Sequence, residues 1–172
     1  MTIEYKKILE KKNNIHFPSK LFINGRYVES INQKTFENIS PIDGSLINNV
    51  SFANNDDIEL AVSSARSTFE KGYWSQLPPA KRKKILLKFA ELIERDRLEL
   101  SILDTTDMGK TINDSYNSDL PLSIDNIQWY AEIIDKLYDD ISPSSTNNLG
   151  LITKEPIGVV AAIVPWNYPL WM

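Results

Sequence analysis

The chain has 172 residues, 42% of them hydrophobic, which suffices for one ordinary domain with a real core. Its formal net charge is −4 with acidic and basic residues interspersed, and that argues against a nucleic-acid partner. Cysteine is absent, so disulfides, cysteine metal sites and a cysteine nucleophile within this chain are all excluded.

Residues 1–20 are rich in Lys and Asn, with apolar positions at Ile3, Tyr5, Ile8 and Leu9, and read as a short amphipathic helix or a frayed tail. There is no charged-then-apolar secretory leader and no run of eighteen apolar residues, so the expected compartment is the cytoplasm, with no membrane partner. From Phe22 to Val28 the tight-turn pair Asn24-Gly25 sits between apolar flanks, and Phe36 to Ile39 begins another short strand before Ser40-Pro41-Ile42-Asp43-Gly44 turns the chain. Both strand pairs are expected to be peripheral.

Four helical stretches follow. Asn55 is the expected cap of the first, with Asp56 and Asp57 in its opening turn, Ile58, Ala61, Val62, Ala65 and Phe69 on one face, and Gly72 past its end. After Pro78-Pro79, a stripe of Ile85, Leu86, Phe89, Leu92 and Ile93 marks the second, whose Lys81-Arg82-Lys83-Lys84 cluster reads as a solvated face. Asp96 to Met108 makes the third, closed by Gly109. Leu120, Ile124, Ile127, Ala131, Ile134 and Tyr138 trace the fourth, expected to be the longest.

From Asp139 to Lys154 the chain is first Ser-, Asn- and Pro-rich and then extended, a loop leading into a strand. Gly158 to Val164 is small or β-branched and uncharged, the pattern of a central strand covered on both faces in a parallel sheet. Pro165 cannot donate to a ladder, so it ends that strand and puts Trp166, Asn167 and Tyr168 in the loop at its carboxyl end, where open α/β sheets bind ligands.

The string Glu155-Pro-Ile-Gly-Val-Val-Ala-Ala-Ile-Val-Pro-Trp-Asn-Tyr-Pro-Leu170 resembles the strand and oxyanion loop of the NAD(P)-dependent aldehyde dehydrogenase superfamily. Leu21-Phe-Ile-Asn-Gly-Arg-Tyr27, Thr35-Phe-Glu-Asn-Ile-Ser-Pro41, Glu94-Arg-Asp96 and Asp107-Met-Gly-Lys110 follow the family's order, extending the resemblance from Leu21 to the end. Trp129-Tyr-Ala-Glu-Ile-Ile-Asp-Lys136 followed by Pro143-Ser-Ser145 looks most like the branch that oxidises gamma-glutamyl-aminobutyraldehyde and other aminoaldehydes.

The resemblance implies an α/β fold, an incomplete Rossmann-like cofactor-binding domain. Residues 1–20 would be the N-terminal helix or tail, 21–138 the first part of the cofactor domain, 139–154 the strands of an oligomerisation arm, and 155–172 the first Rossmann strand with its oxyanion loop. NAD is the implied cofactor, with NADP as the other possibility, an aldehyde the substrate, and a homo-oligomer the complete enzyme. Asn167 takes the role of oxyanion donor, since a side-chain amide stabilises the negative oxygen of a tetrahedral adduct without a proton transfer. Ile163, Val164, Pro165 and Trp166 match positions lining the nicotinamide and ribose side of the cofactor cleft; for Ile163 and Val164, core packing is an equal reading. Asn38, the backbone carbonyl of Ile39, and Asp107 match a cation site built from oxygen donors. Here the chain departs from the family's usual Leu-Asp-Asn-Gly-Lys-Pro, reading Thr106-Asp-Met-Gly-Lys-Thr111.

Neither a Walker lysine motif nor G-x-G-x-x-G occurs, Lys154 reads as a surface charge, and His16, the one histidine, reads as structural or solvated. The family's cysteine nucleophile, glutamate base, pyrophosphate-binding turn and catalytic domain are implied to follow Leu170, so the chain alone is expected to be inactive and marginally stable or aggregating. The alternative is a non-catalytic truncated product or interaction module that associates with a full-length subunit.

Overall fold

The computed structural model describes residues 5–172, so the sequence reading at Met1–Glu4 lies outside the described residues. Its elements are α1 (Tyr5–Lys12), β1 (Leu21–Ile23), β2 (Arg26–Val28), β3 (Thr35–Ile39), β4 (Leu46–Ser51), α2 (Asn55–Glu70), α3 (Pro79–Arg95), α4 (Arg97–Met108), α5 (Ile112–Asp114), a π-helical turn (Ser115–Asp119), α6 (Leu120–Ile133), β5 (Asp140–Ser142) and β6 (Gly150–Ile152). No helix among the described residues is long and apolar enough to cross a membrane.

All strand pairing among the described residues is antiparallel and local: β1 with β2, β3 with β4, and β5 with β6. Asn24 and Gly25 both take positive φ, 51° and 73°, which is the backbone twist that a two-residue hairpin needs. In the second hairpin Asn38 faces Asn48 but Ile39 faces Leu46, so one extra residue bulges opposite the Asn38–Ile39 step and bends the strand end.

The core lies between α3 and α6. Ala90, Ile93, Leu120 and Ile124 form its buried cluster, with Leu100 and Ile127 packed against it. Ala90 and Ala131 are fully buried, small side chains that let the two helix backbones approach closely. Lys83 reaches from α3 to Glu132 at 2.9 Å and Asp135 at 3.3 Å, while Arg82 donates to the carbonyl of Ser75 at 3.1 Å. Half of the basic cluster read as a solvated face therefore fastens α3 to its surroundings.

Asn54, one residue before the expected Asn55, caps α2. Its Oδ1 accepts from the Asp57 N–H at 3.0 Å and its own N–H donates to Asp57 Oδ2 at 2.9 Å, a reciprocal capping box. α4 ends as expected at Gly109, with φ of 83°. The fourth apolar stripe is shorter than expected: α6 stops at Ile133 and Tyr138 is 81% exposed, which leaves α3, at 17 residues, the longest α-helix. Pro121 accounts for the irregular start of α6. It has no N–H for the carbonyl four residues back, and the chain enters it through the wider π turn Ser115–Asp119.

The expectation of a buried central strand over Gly158 to Val164 is overturned. The segment carries no ladder, Gly158 takes a φ of 111°, and Ile163 is 99% exposed. The reason is pairing: a parallel strand needs neighbours brought alongside by crossover connections, and no strand among the described residues lies beside this segment. The apolar character of the segment is real, but beyond the half-buried Gly158 and Val159 its residues are exposed.

Candidate functional site

Asn167 sits on a loop whose shape is set by two prolines. Pro165 and Pro169 each fix their own φ and disfavour the helical region for the preceding residue, Val164 or Tyr168. The Met172 N–H donates to the Tyr168 carbonyl at 3.1 Å, and the Tyr168 and Trp171 rings meet edge to face with centroids 5.4 Å apart. Asn167 is exposed, and no hydrogen bond among the described residues engages its side-chain amide. The side chain is therefore not spent on its own turn.

The loop is held by a residue that sequence reasoning passed over. Lys110 follows the left-handed Gly109, which ends α4 and redirects the chain toward the loop. Its side chain is only 10% exposed. The ammonium donates to Asp119 Oδ2, lies 3.4 Å from Asp104 Oδ2, donates to the Asn167 carbonyl at 2.5 Å, and stands 4.6 Å from the centre of the Tyr168 ring. Burial works against its charge, but the hydrogen bond to Asp119 and the attraction of Asp104 and Asp119 outweigh it and leave the pKa raised. Ser115 Oγ donates to Asp104 Oδ2 at 2.8 Å, so the π turn supplies both a carboxylate and a brace for the other one. The signals available in sequence were the Gly-Lys step after a helix and an Asp two residues before Pro121.

A cavity of about 430 Å³ opens beside this cluster, walled by α4, the bulged end of β3 and the terminal loop, with Asn38, Asp107, Met108, Trp166, Tyr168 and Trp171 among its lining residues. Asn38 and Asp107, grouped by resemblance as cation ligands, are indeed brought together: Asn38 Nδ2 donates to Asp107 Oδ1 at 2.6 Å. The donor set does not fit an ion as it stands. The amide nitrogen facing Asp107 is no ligand, and among the described residues no three His, Cys, Asp or Glu side chains converge on one point. A cation here would have to displace the amide–carboxylate bond.

Ile163, Val164, Pro165 and Trp166 are all exposed, with Trp166 at 79%. Together they form an uncovered apolar ledge leading to Asn167. The four side chains carry no group that binds phosphate. Lys154 is tied to the carbonyl of Tyr138 and lies 3.7 Å from Asp140, consistent with the surface charge expected of it.

Comparison with known proteins identifies the family. Residues 27–172 match the aldehyde dehydrogenase family. The chain is 42% identical to the NADP/NAD-dependent aldehyde dehydrogenase PuuC of Escherichia coli K12, over 94% of its own length and 32% of that protein's. It is 40% identical to the aminoacetaldehyde dehydrogenase of Pseudomonas aeruginosa, over 92% of its length and 32% of that enzyme's. Among solved structures, an indole-3-acetaldehyde dehydrogenase of P. syringae, in complex with NAD+, superposes with a TM-score of 0.95 at 44% identity, covering 99% of this chain and 34% of that one. A gamma-glutamyl-gamma-aminobutyraldehyde dehydrogenase of Burkholderia cenocepacia J2315 gives 0.94 at 37% identity, covering 98% and 34%. The chain thus spans about a third of the length of the relatives it matches. The fold, the proline-flanked asparagine loop and these matches agree that the chain belongs to the aldehyde dehydrogenase family.

Proposed function

We propose that the chain is the N-terminal part of an NAD(P)-dependent enzyme that oxidises an aldehyde to a carboxylate, with an aminoaldehyde as the substrate class. The single observation that carries this reading is the exposed, unengaged amide of Asn167 on a loop fixed at both ends by proline and underneath by Lys110. The aminoaldehyde assignment draws on the relatives that act on aminoacetaldehyde and gamma-glutamyl-gamma-aminobutyraldehyde. NAD is the proposed cofactor, with NADP open, since PuuC is described as using both.

A nucleophile adds to the aldehyde carbon, and the carbonyl oxygen becomes an oxyanion. The Asn167 amide N–H donates to that oxygen, and because the loop is already ordered, little reorganisation accompanies the charge as it develops. A bound nicotinamide cofactor would supply the hydride acceptor for that adduct, and water then hydrolyses the acyl group left on the nucleophile, giving the carboxylate and freeing the nucleophile. Ile163, Val164, Pro165 and Trp166 would hold the cofactor's ring side by apolar contact and exclude water from that face. With no cysteine in these 172 residues, the thiol nucleophile is supplied by polypeptide outside them.

Asn38, the Ile39 carbonyl and Asp107 remain a proposed cation site only on condition that the Asn38 amide turns its oxygen toward the ion. The β5–β6 hairpin, with Ile141 70% and Leu151 65% exposed, supports the reading of 139–154 as an arm between subunits of a homo-oligomer. The same surface favours the second reading, a non-catalytic chain that docks on a full-length subunit.

A chimera in which this chain replaces the matching N-terminal third of the E. coli relative tests the catalytic reading. It should form NADH from aminoacetaldehyde, and Asn167→Ala should lower kcat by about 10²–10³. An active chimera indifferent to Asn167→Ala would remove the amide from the mechanism.

A further inference from the structure

We infer that Lys110 is a positioning residue for the Asn167 loop, holding the peptide plane between Asn167 and Tyr168 so that the Asn167 side chain is presented outward. The oxyanion role that this presentation would serve rests on the function proposed above; the ordering of the loop by Lys110 does not.

One ammonium group grips the loop twice. It holds the Asn167 carbonyl at 2.5 Å and faces the Tyr168 ring at 4.6 Å, so the peptide oxygen and the following side chain are restrained from the same point. Fixing that oxygen sets ψ of Asn167, and with ψ set the Cα–Cβ direction of Asn167 relative to the peptide plane is set too. Proline on either side removes much of the remaining freedom. Asn167 is therefore ordered through its main chain, which leaves its amide unspent.

The grip is itself anchored. Asp119 and Asp104, both about nine-tenths buried, hold the ammonium from the π turn and α4. Ser115 braces Asp104, and Ser123 Oγ donates to the Asp119 carbonyl at 2.7 Å. Lys110 thus transmits the rigidity of α4 and of the helical run behind it to a loop that has no strand ladder of its own. A raised pKa keeps it charged across the physiological range. Nothing else among the described residues donates to the Asn167 carbonyl.

The test uses the full 172-residue chain carrying Ile157→Lys, Val160→Lys and Ile163→Lys, changes that keep it monomeric and serve as its wild-type background, and backbone ¹⁵N relaxation, a readout independent of dehydrogenase activity. In the wild type, the Trp166, Asn167 and Tyr168 amides should show order parameters near about 0.85, and Lys110→Met should drop them below about 0.6 while Ala90 and Ala131 keep theirs. Lys110→Arg should restore most of the order. Equal loop order in Lys110→Met and wild type would overturn the inference, and so would a loss spread evenly over the loop and the α3–α6 core. Should Lys110→Met fail to fold because two carboxylates are stranded, the triple variant Lys110→Met, Asp104→Asn, Asp119→Asn removes their charge and is read by the same criterion. In the chimera described above, Lys110→Met should lower kcat more than tenfold with KM for the aldehyde within threefold, and Lys110→Arg should recover at least part of it. A disordered loop with unchanged kcat would retain the positioning of the loop and reject the oxyanion role of Asn167.

Discussion

Ser30 and Asp57, 27 positions apart, are joined by a buried hydrogen bond in which Ser30 Oγ donates to Asp57 Oδ2 at 2.7 Å. The same carboxylate accepts the Ile31 N–H at 3.0 Å through Oδ1 and the Asn54 N–H at 2.9 Å through Oδ2. One side chain thus closes the start of α2 and fixes the turn after β2.

Asp57 makes stability acid-sensitive. Its pKa lies below the ordinary 3.8, chiefly because the Asn54 N–H bonds the ionised form; burial opposes this, and Ser30 and Ile31 add to it. Between the folded and unfolded pKa values the unfolded chain binds more protons. The contribution is therefore fully present above the unfolded value and lost as pH falls through the depressed folded value. Asp57→Asn should flatten the acid limb of a stability–pH curve measured by urea unfolding. Asn54→Ala should cost about 0.5–2 kcal/mol at neutral pH through the lost cap.

The helix pair α3–α6 should dominate the response to core substitutions. Ile93→Ala, at a site 4% exposed, should destabilise by about 2–5 kcal/mol, and Ala90→Leu by about 1–3 kcal/mol through overpacking. Ile58→Ala on α2 should stay within about 0.5 kcal/mol, since Ile58 is 53% exposed despite its place in a regular apolar stripe. Chemical denaturation of the three variants separates the packed stripe from the uncovered one.

Periodicity found every long helix, because an apolar repeat near 3.6 residues reports which face is apolar. It could not report whether anything covers that face. Ile93 and Ile58 carry the same signal and differ entirely in burial. The same limit explains Gly158 to Val164: uncharged β-branched composition foretold a strand between neighbours, and the described residues hold no partner for it. The exposed, proline-flanked position of Asn167 was legible because Pro-Trp-Asn-Tyr-Pro is a local device. Lys110 was not, since its role comes from Asp104, Asp119 and Asn167 meeting across 6 to 57 positions, and no spacing rule encodes that meeting.

Gly109 offers a sharper test of how α4 hands the chain to Lys110. With φ of 83°, any L side chain there is strained, and a Cβ would also lie 3.1 Å from Pro41 Cγ. Gly109→Ala should cost roughly 1–2 kcal/mol in backbone strain, with the Pro41 contact added to it. Gly44, at φ of 71° with open space around it, provides the control: Gly44→Ala should show the backbone cost alone. Gly109→Asn should lose less to strain than Ala does, because Asn tolerates the left-handed region. Differential scanning calorimetry of the variants measures the ordering, and equal costs for the two alanine variants would deny the Pro41 contact any influence.

The uncovered apolar segment should govern solubility without governing stability. Ile157, Val160 and Ile163 are 91%, 69% and 99% exposed on a backbone with no ladder, a surface that other chains can pair with and cover. Because these side chains are already in water, replacing them forfeits almost no burial. A triple lysine substitution at the three positions should therefore leave the urea midpoint of the α3–α6 core unchanged, while light scattering shows the wild-type chain associating at micromolar concentrations and the variant remaining monomeric. The β5–β6 hairpin is a second candidate surface, and Ile141→Lys with Leu151→Lys separates the two. If the hairpin variant dissolves the aggregate and the triple variant does not, association runs through the arm; a wild-type chain that stays monomeric would show that neither surface is adhesive.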